Sequence, residues 1–260
     1  VPPAPGTTPR LALHAVGKSF AGGGEVVQAL DDVNLEVAAG EFVAVIGPSG
    51  CGKSTLLEIA AGLELPSSGE VLIDGVPASS RPGHAGYMPQ RDALLPWRRI
   101  LDNAALGLEV RGLARHAARR RVAPLMERFG LAGFEDAYPF QLSGGMRQRA
   151  ALLRTVVQDC AVLLLDEPFG ALDSLTRAGM QVWLEEVRGQ SGWTVVLVTH
   201  DIREAVFLAD RVVVLTPRPG SVAAELPIDL PRPRPPDVLG RPDFADLEEQ
   251  LMASLRAHTA

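Results

Sequence analysis

The run from Glu41 to Gly62, EFVAVIGPSGCGKSTLLEIAAG, leaves a chain few ways to fold. Glu41 to Ile46 reads as a strand buried on both faces, and it enters a glycine loop directly. Ser54 to Gly62 then has helical character. Strand, glycine loop and helix in that order fill the G-x-x-x-x-G-K-[ST] pattern with the flanks it needs, which argues against a bland glycine turn. The candidate phosphate-binding residues are Gly47, Pro48, Ser49, Gly50, Cys51, Gly52, Lys53, Ser54 and Thr55. Gly50 and Gly52 let backbone N–H groups fold around phosphate oxygens. Lys53 neutralises β/γ charge, the Ser54 hydroxyl can ligate Mg²⁺, and Thr55 adds a contact to the α-phosphate.

The rest of the chain fits an α/β core around that unit. Val162 to Leu165 and Thr194 to Thr199 are strand-like runs alternating with helices at Leu175 to Gly189 and Ile202 to Ala209, the pattern of a parallel sheet covered on both faces. Arg10 to Ala15 and Ala29 to Val37 alternate like edge or meander strands, and shorter strands are expected at Glu70 to Ile73 and Gly86 to Pro89. Between Arg91 and Leu142 the period becomes helical, with Val122, Leu125, Met126 and Phe129 on one face. Arg211 to Leu215 and Ser221 to Leu226 read as late strands. Pro231 to Pro236, PRPRPP, reads as a stiff surface segment before a terminal amphipathic helix, Phe244 to Leu255.

Asp166 ends the strand at Val162 to Leu165, where its carboxylate can hold Mg²⁺ through water, and Glu167 beside it is placed to polarise a water. His200 follows the strand Thr194 to Thr199, at the carboxyl edge where open α/β sheets bind ligands. Ahead of these lies Leu142 to Arg149, LSGGMRQR. Its two glycines let backbone N–H groups approach an anion, and the helix after them aims its positive end at that anion. A complete phosphate loop exists elsewhere in the chain, so this turn needs a different phosphate.

With GPSGCGKST, LSGGMRQR, DEP, GALD and VTHD, the chain resembles the ATP-binding subunits of ABC transporters from Phe20 to His200. The resemblance implies a P-loop ATPase core with an antiparallel β subdomain at 10–90 and 155–228. It implies an all-helical insert at 91–154 carrying LSGGMRQR, and leaves 229–260 as the Pro-rich segment and last helix. It makes Glu167 the catalytic base, His200 a γ-phosphate contact, and Gln90 the residue that touches Mg²⁺ and the attacking water. Mg²⁺ falls to Ser54, Gln90 and Asp166, and ATP to the phosphate loop with Phe20 on adenine. An ordinary core Phe is the other reading of Phe20. Ser143, Gly144, Gly145 and Asp173 are implied to act in trans, on ATP held by a second copy.

Import and export systems share these motifs. Leu94 to Gly112, LLPWRRILDNAALGLEVRG, and Leu215 to Arg234 resemble importer ATPases of the nitrate, sulfonate and taurine group and the related pyrimidine-precursor group. The implied partners are a second nucleotide-binding subunit, integral membrane permease subunits and, indirectly, an extracytoplasmic solute-binding protein. Leu95 and Trp97 are candidate apolar anchors for the permease, unless Trp97 packs within the insert. The other class considered is a soluble ABC ATPase acting on nucleic acid. Against it stand the net charge of -6 and the lack of room for a long coiled-coil insertion or a tandem cassette. Arg111 to Arg121, RGLARHAARRR, accordingly reads as a solvated helix face.

No apolar stretch approaches the roughly 20 residues a bilayer-spanning helix requires, and VPPAPGTTPR lacks the basic and apolar regions of a secretory signal. The expected location is the cytoplasmic face of the inner membrane, peripherally bound. Cys51 and Cys160 stand far apart in unrelated contexts, so no structural disulfide is expected. Cys51, near a helix N-terminus, is either a reactive thiol or a small filler, the latter favoured.

Overall fold

The computed structural model describes residues 8–22, 25–78 and 83–259. Strands β1 (Leu11–Gly22), β2 (Glu25–Val37), β4 (Ser68–Ile73) and β5 (Val76–Pro77) form an antiparallel sheet in the order β2-β1-β4-β5. A six-stranded sheet joins β3 (Phe42–Ile46), β6 (Ala85–Met88), β7 (Val162–Asp166), β8 (Thr194–Val198), β9 (Arg211–Leu215) and β10 (Val222–Pro227). Its order is β10-β9-β3-β8-β7-β6, parallel except where β10 pairs with β9.

Every residue of β3, β7, β8 and β9 is buried, which is why these strands read as continuous apolar runs. Successive side chains still point to opposite faces. Phe42, Ala44 and Ile46 enter one core with Leu163 and Leu165, while Val43 and Val45 enter a second with Leu164 and the antiparallel sheet. The helix α1 (Lys53–Ala60) belongs to the second core. The first is closed by α2 (Ile100–Val110), α3 (Arg115–Arg128), α4 (Gly144–Val156), α5 (Ser174–Ser191), α6 (Ile202–Leu208) and α7 (Pro242–Thr259). The expected mixed core sheet, antiparallel sheet and helical insert are all present.

Two features differ from expectation. First, β1 and β2 run well beyond Arg10 to Ala15 and Ala29 to Val37. Their pairing shifts register between Leu13 and Val16 and again around Lys18, and Ala15 adopts φ 51°. Such bulges break the period-2 pattern that identifies a strand in sequence.

Second, the Pro-rich segment is not merely surface. Arg234 is only 2% exposed. Its Nη1 donates to Val206 O (2.9 Å), Phe207 O (3.0 Å) and Ala209 O (2.7 Å), and its Nη2 to Ile228 O and Leu230 O. A helix end leaves carbonyls without partners, and the guanidinium fork meets those of α6. Burial, with the charge of Arg232 beside it, pushes Arg234 down to about 10. Arg232 donates to Asp210 Oδ1 (2.9 Å) and Leu208 O (2.6 Å) and pairs with Glu185.

The helical insert packs on Val122, Met126 and Phe129, all buried, with Leu125 partly so. The arginine run is only partly a solvated face. Asp102, 1% exposed, is paired with Arg115 (2.7 Å) and Arg119 (2.8 Å). Burial works to raise the Asp102 pKa, but the two guanidiniums outweigh it and hold the carboxyl below its ordinary range.

Candidate functional site

The phosphate loop leaves β3 and becomes α1 through Gly50 (φ 76°) and Gly52 (φ 102°), both left-handed. A Cβ on Gly52 would sit 2.8 Å from Ala29 O, so space as well as dihedral requires glycine. Gly52 caps α1 without a side-chain bond, leaving the first N–H groups of that helix to an incoming anion. Lys53 folds back across the loop, its Nζ donating to Gly47 O (2.8 Å) and Pro48 O (2.9 Å). The Cys51 side chain is 1% exposed and lies in the core under the loop, so it is a filler. Both cysteines are free.

A cleft of about 400 Å³ opens over this loop, lined by Phe20, Gly50, Lys53, Ser54, Gln90 and Glu167 among others. Phe20 is 40% exposed there, with Lys18 Nζ 4.8 Å from its ring centroid, and so is not an ordinary core Phe. Val27, Ala29 and Arg218 also line the cleft. Sequence reasoning missed all three, since their position depends on a long hairpin and a turn after β9 that carry no motif.

Asp166 ends β7 and is 2% exposed, with Oδ1 buried and unpartnered. Burial raises its pKa, and the nearby charges of Glu167 and Glu58 raise it further, while a hydrogen bond from Ser54 and the charge of Lys53 oppose them. An orphaned carboxylate oxygen beside a hydroxyl is a setting that a hard divalent cation would satisfy. Among the described residues no group of three or more His, Cys, Asp or Glu could hold a metal.

Glu167 follows with φ 47°, a left-handed conformation strained for a non-glycine residue, fixed by its N–H on Val198 O at 2.9 Å. Its Oε2 lies 3.2 Å from Gln90 Nε2 and 3.3 Å from His200 Nδ1. Side chains from the ends of β6, β7 and β8 thus meet at one carboxylate oxygen, at the carboxyl edge of the parallel strands.

Ser143, Gly144, Gly145 and Asp173 are not among the residues lining that cleft. Ser143 caps α4, its Oγ accepting from Met146 N at 3.3 Å. Asp173 caps α5 in the same way, accepting from Thr176 N at 3.0 Å. The start of α4 abuts the GALD turn: a Cβ on Gly145 would lie 3.3 Å from Leu172 Cδ2.

Three polar residues of α4, not singled out from sequence, tie it to its surroundings, two of them to the loop after Gln90 and one to Glu167. Arg147 Nε donates to Asp92 Oδ2 at 2.9 Å, and Arg154 to Asp92 O and Ala93 O at 2.8 and 2.7 Å. Gln148 Nε2 reaches Glu167 O at 3.4 Å.

A larger cleft of about 880 Å³ lies away from the phosphate loop, lined by Tyr87, Ala93, Leu106, Val110, Arg111 and Cys160 among others. Arg111 is drawn into its wall, donating to Gln158 O (2.7 Å), Gly83 O (2.8 Å) and Cys160 Sγ (2.9 Å). Trp97 is 72% exposed, so it does not pack within the insert. Asn103, fully buried, clamps the loop that presents it: its Nδ2 donates to Leu95 O and Arg98 O, and its Oδ1 accepts from Leu95 N.

Residues 30–170 match the family described as ABC transporter. An uncharacterized ABC transporter ATP-binding protein of Methanocaldococcus jannaschii is 47% identical over 86% of this chain and 84% of its own length. A taurine import ATP-binding protein of Yersinia pestis is 45% identical over 77% of this chain and 79% of the relative. One from Burkholderia thailandensis is 42% identical over 86% of each. Among solved structures, a dimeric bacterial ABC transporter cassette superposes with TM-score 0.78 at 33% identity, covering 85% of this chain and 99% of that one. A dimeric post-hydrolysis state of an ATP-binding cassette, bound to ADP and Pi, matches with the same figures.

Proposed function

The chain belongs to the ABC transporter family and is an ATPase, and on that premise we propose that it is the ATP-hydrolysing subunit of a bacterial importer, working as a head-to-tail pair of identical chains. The observation that carries this reading is the meeting of Gln90, Glu167 and His200 at one oxygen beside the phosphate loop, while Ser143 to Gly145 stand outside the same chain's cleft. Each chain then binds ATP on Gly47 to Thr55 with adenine on Phe20, and a second copy brings Ser143, Gly144, Gly145 and Asp173 to the γ-phosphate side. The neighbours that are dimeric, one of them holding ADP and Pi, support the pairing.

Ser54, Asp166 and Gln90 would hold Mg²⁺, which supplies charge neutralisation at the β- and γ-phosphates when bound. Glu167 accepts a proton from the attacking water, and Gln90 and His200 hold that carboxylate in place from two sides. Lys53 exchanges its bonds to Gly47 O and Pro48 O for phosphate oxygens. ATP stabilises the closed pair, and loss of the γ-phosphate removes the contacts that favoured closure.

The taurine import relatives support a small sulfonate as the transported solute, with nitrate and pyrimidine precursors as related choices. The proposed path for that solute belongs to permease subunits, with this chain bound peripherally at the cytoplasmic face; no described helix is long and apolar enough to cross a membrane. The cleft at Leu106, Val110 and Arg111, with Trp97 on the loop nearby, suits a helix from such a permease. Trp97→Ala is expected to leave ATPase activity of the isolated subunit within about twofold. Taurine uptake by vesicles carrying the assembled transporter should fall about tenfold, the cost of one apolar hot-spot side chain. Unchanged uptake would remove Trp97 from the docking surface, and ATPase activity indifferent to the permease would oppose the importer reading.

A further inference from the structure

His200 is flanked by residues that a single buried carboxylate locks together. Glu204, 4% exposed on the first turn of α6, accepts from Gln181 Nε2 of α5 at 3.0 Å and from the Thr199 hydroxyl. The Thr199 Oγ1 accepts from Asp201 N at 3.0 Å, and Asp201 Oδ1 accepts from Glu204 N at 3.2 Å. The ring closes through the two neighbours of His200 without including the histidine itself.

The ring is also tied to the turn before α5. Arg177 donates from Nη1 to Asp201 Oδ2 at 3.5 Å and from Nη2 to Leu172 O at 3.3 Å, one residue before the Asp173 cap. A void of only about 10 Å³ lies between Glu204, Thr199, His200 and Glu167, at most the room of one water, so these groups have little slack.

We propose that Glu204 is a positioning residue for His200, which makes the place of that histidine depend on α5 and on the GALD turn where a second copy would press. The proposal rests on His200 contacting the γ-phosphate. Movement of Asp173 by the other chain would pull on Leu172, Arg177 and Asp201, and the ring would carry that pull to the peptide on either side of His200. A site without its second copy would then hold His200 differently from a closed one.

The ring depends on ionisation. Burial raises Glu204 to about 7, against the bonds from Gln181 and Thr199, with Asp201 adding to the rise and Arg177 opposing it. Glu167 and His200 face it across the void, and on the side of α7 Arg203 of the same helix pairs with Glu248 at 3.2 Å. The anion accepts from both Gln181 and Thr199. Once protonated, as pH falls through about 7, one of its oxygens becomes a donor and the ring loosens.

The test is steady-state ATPase kinetics of the full chain across pH 5.5–9 for Glu204→Gln, Gln181→Leu and His200→Ala. Glu204→Gln keeps shape but offers one acceptor where two are needed. It should lower kcat about tenfold, the worth of one hydrogen bond, leave KM for MgATP within about twofold, and lose the part of the acid limb centred near pH 7. Gln181→Leu leaves Glu204 in place and should lower kcat with KM unchanged. A Glu204→Gln enzyme with wild-type kcat and pH profile, alongside an inactive His200→Ala, would overturn the positioning role alone. A fully active His200→Ala would overturn the reading of His200 on which it rests.

Discussion

Glu167→Gln lowers MgATP turnover by about 10²- to 10⁴-fold, the range of a lost general base, while MgATP affinity stays within a few-fold of wild type. The expectation follows from where the carboxylate sits. Its Oε2 is the meeting point of Gln90 Nε2 and His200 Nδ1, and its backbone is held left-handed by the bond to Val198 O. The amide keeps the size and one acceptor, so the site stays assembled, but it cannot take a proton from water. Single-turnover hydrolysis measured beside equilibrium nucleotide binding separates the two quantities. Turnover within about threefold of wild type would remove Glu167 from the role of base.

Lys53→Ala acts on the other quantity and weakens MgATP binding by about 10²-fold. A charge-assisted hydrogen bond contributes about 1.5–3 kcal/mol, and an ammonium carries three donors that a phosphate group could share. The side chain is 9% exposed and donates to Gly47 O and Pro48 O, which braces the loop. Removing it costs both the charge and that bracing. Calorimetric titration gives the affinity, and a dissociation constant within twofold of wild type would contradict the phosphate-contact role.

What could be read from the sequence was what local pattern carries. GPSGCGKST needs only a strand before and a helix after, and both lie within a few residues of it. Three of the four fully buried strands announced themselves as apolar or β-branched runs, while Arg211 to Leu215 read only as a late strand; the ends of two of those runs located Glu167 and His200. What stayed hidden depends on partners distant in the chain. Arg234 between prolines resembles a solvated residue, and only the open carbonyls at the end of α6 explain its burial. Asp102 beneath Arg115 and Arg119 could not be told from any helix-face acid. The extended β1–β2 hairpin was masked by bulges, and with it the way Val27 and Ala29 reach the cleft over the phosphate loop. The links from Arg147, Gln148 and Arg154 to Asp92, Ala93 and Glu167 join α4 to the loops after β6 and β7 across long stretches of chain.

Those links give LSGGMRQR a mechanical role in the proposed pair: a phosphate bound at Ser143 would act on the helix that grips the loop after Gln90, beside the cleft suited to a permease. All of this requires that one chain complete the other's site. The most direct measurement is the mass in solution of Glu167→Gln, by light scattering on a size-exclusion column, in MgATP and in MgADP. The expected result is about twice the 27.6 kDa chain mass in MgATP and a single chain in MgADP, with Ser143→Arg added to Glu167→Gln abolishing the pair while ATP still binds. A single chain in saturating MgATP, or a pair indifferent both to nucleotide and to Ser143→Arg, would contradict it.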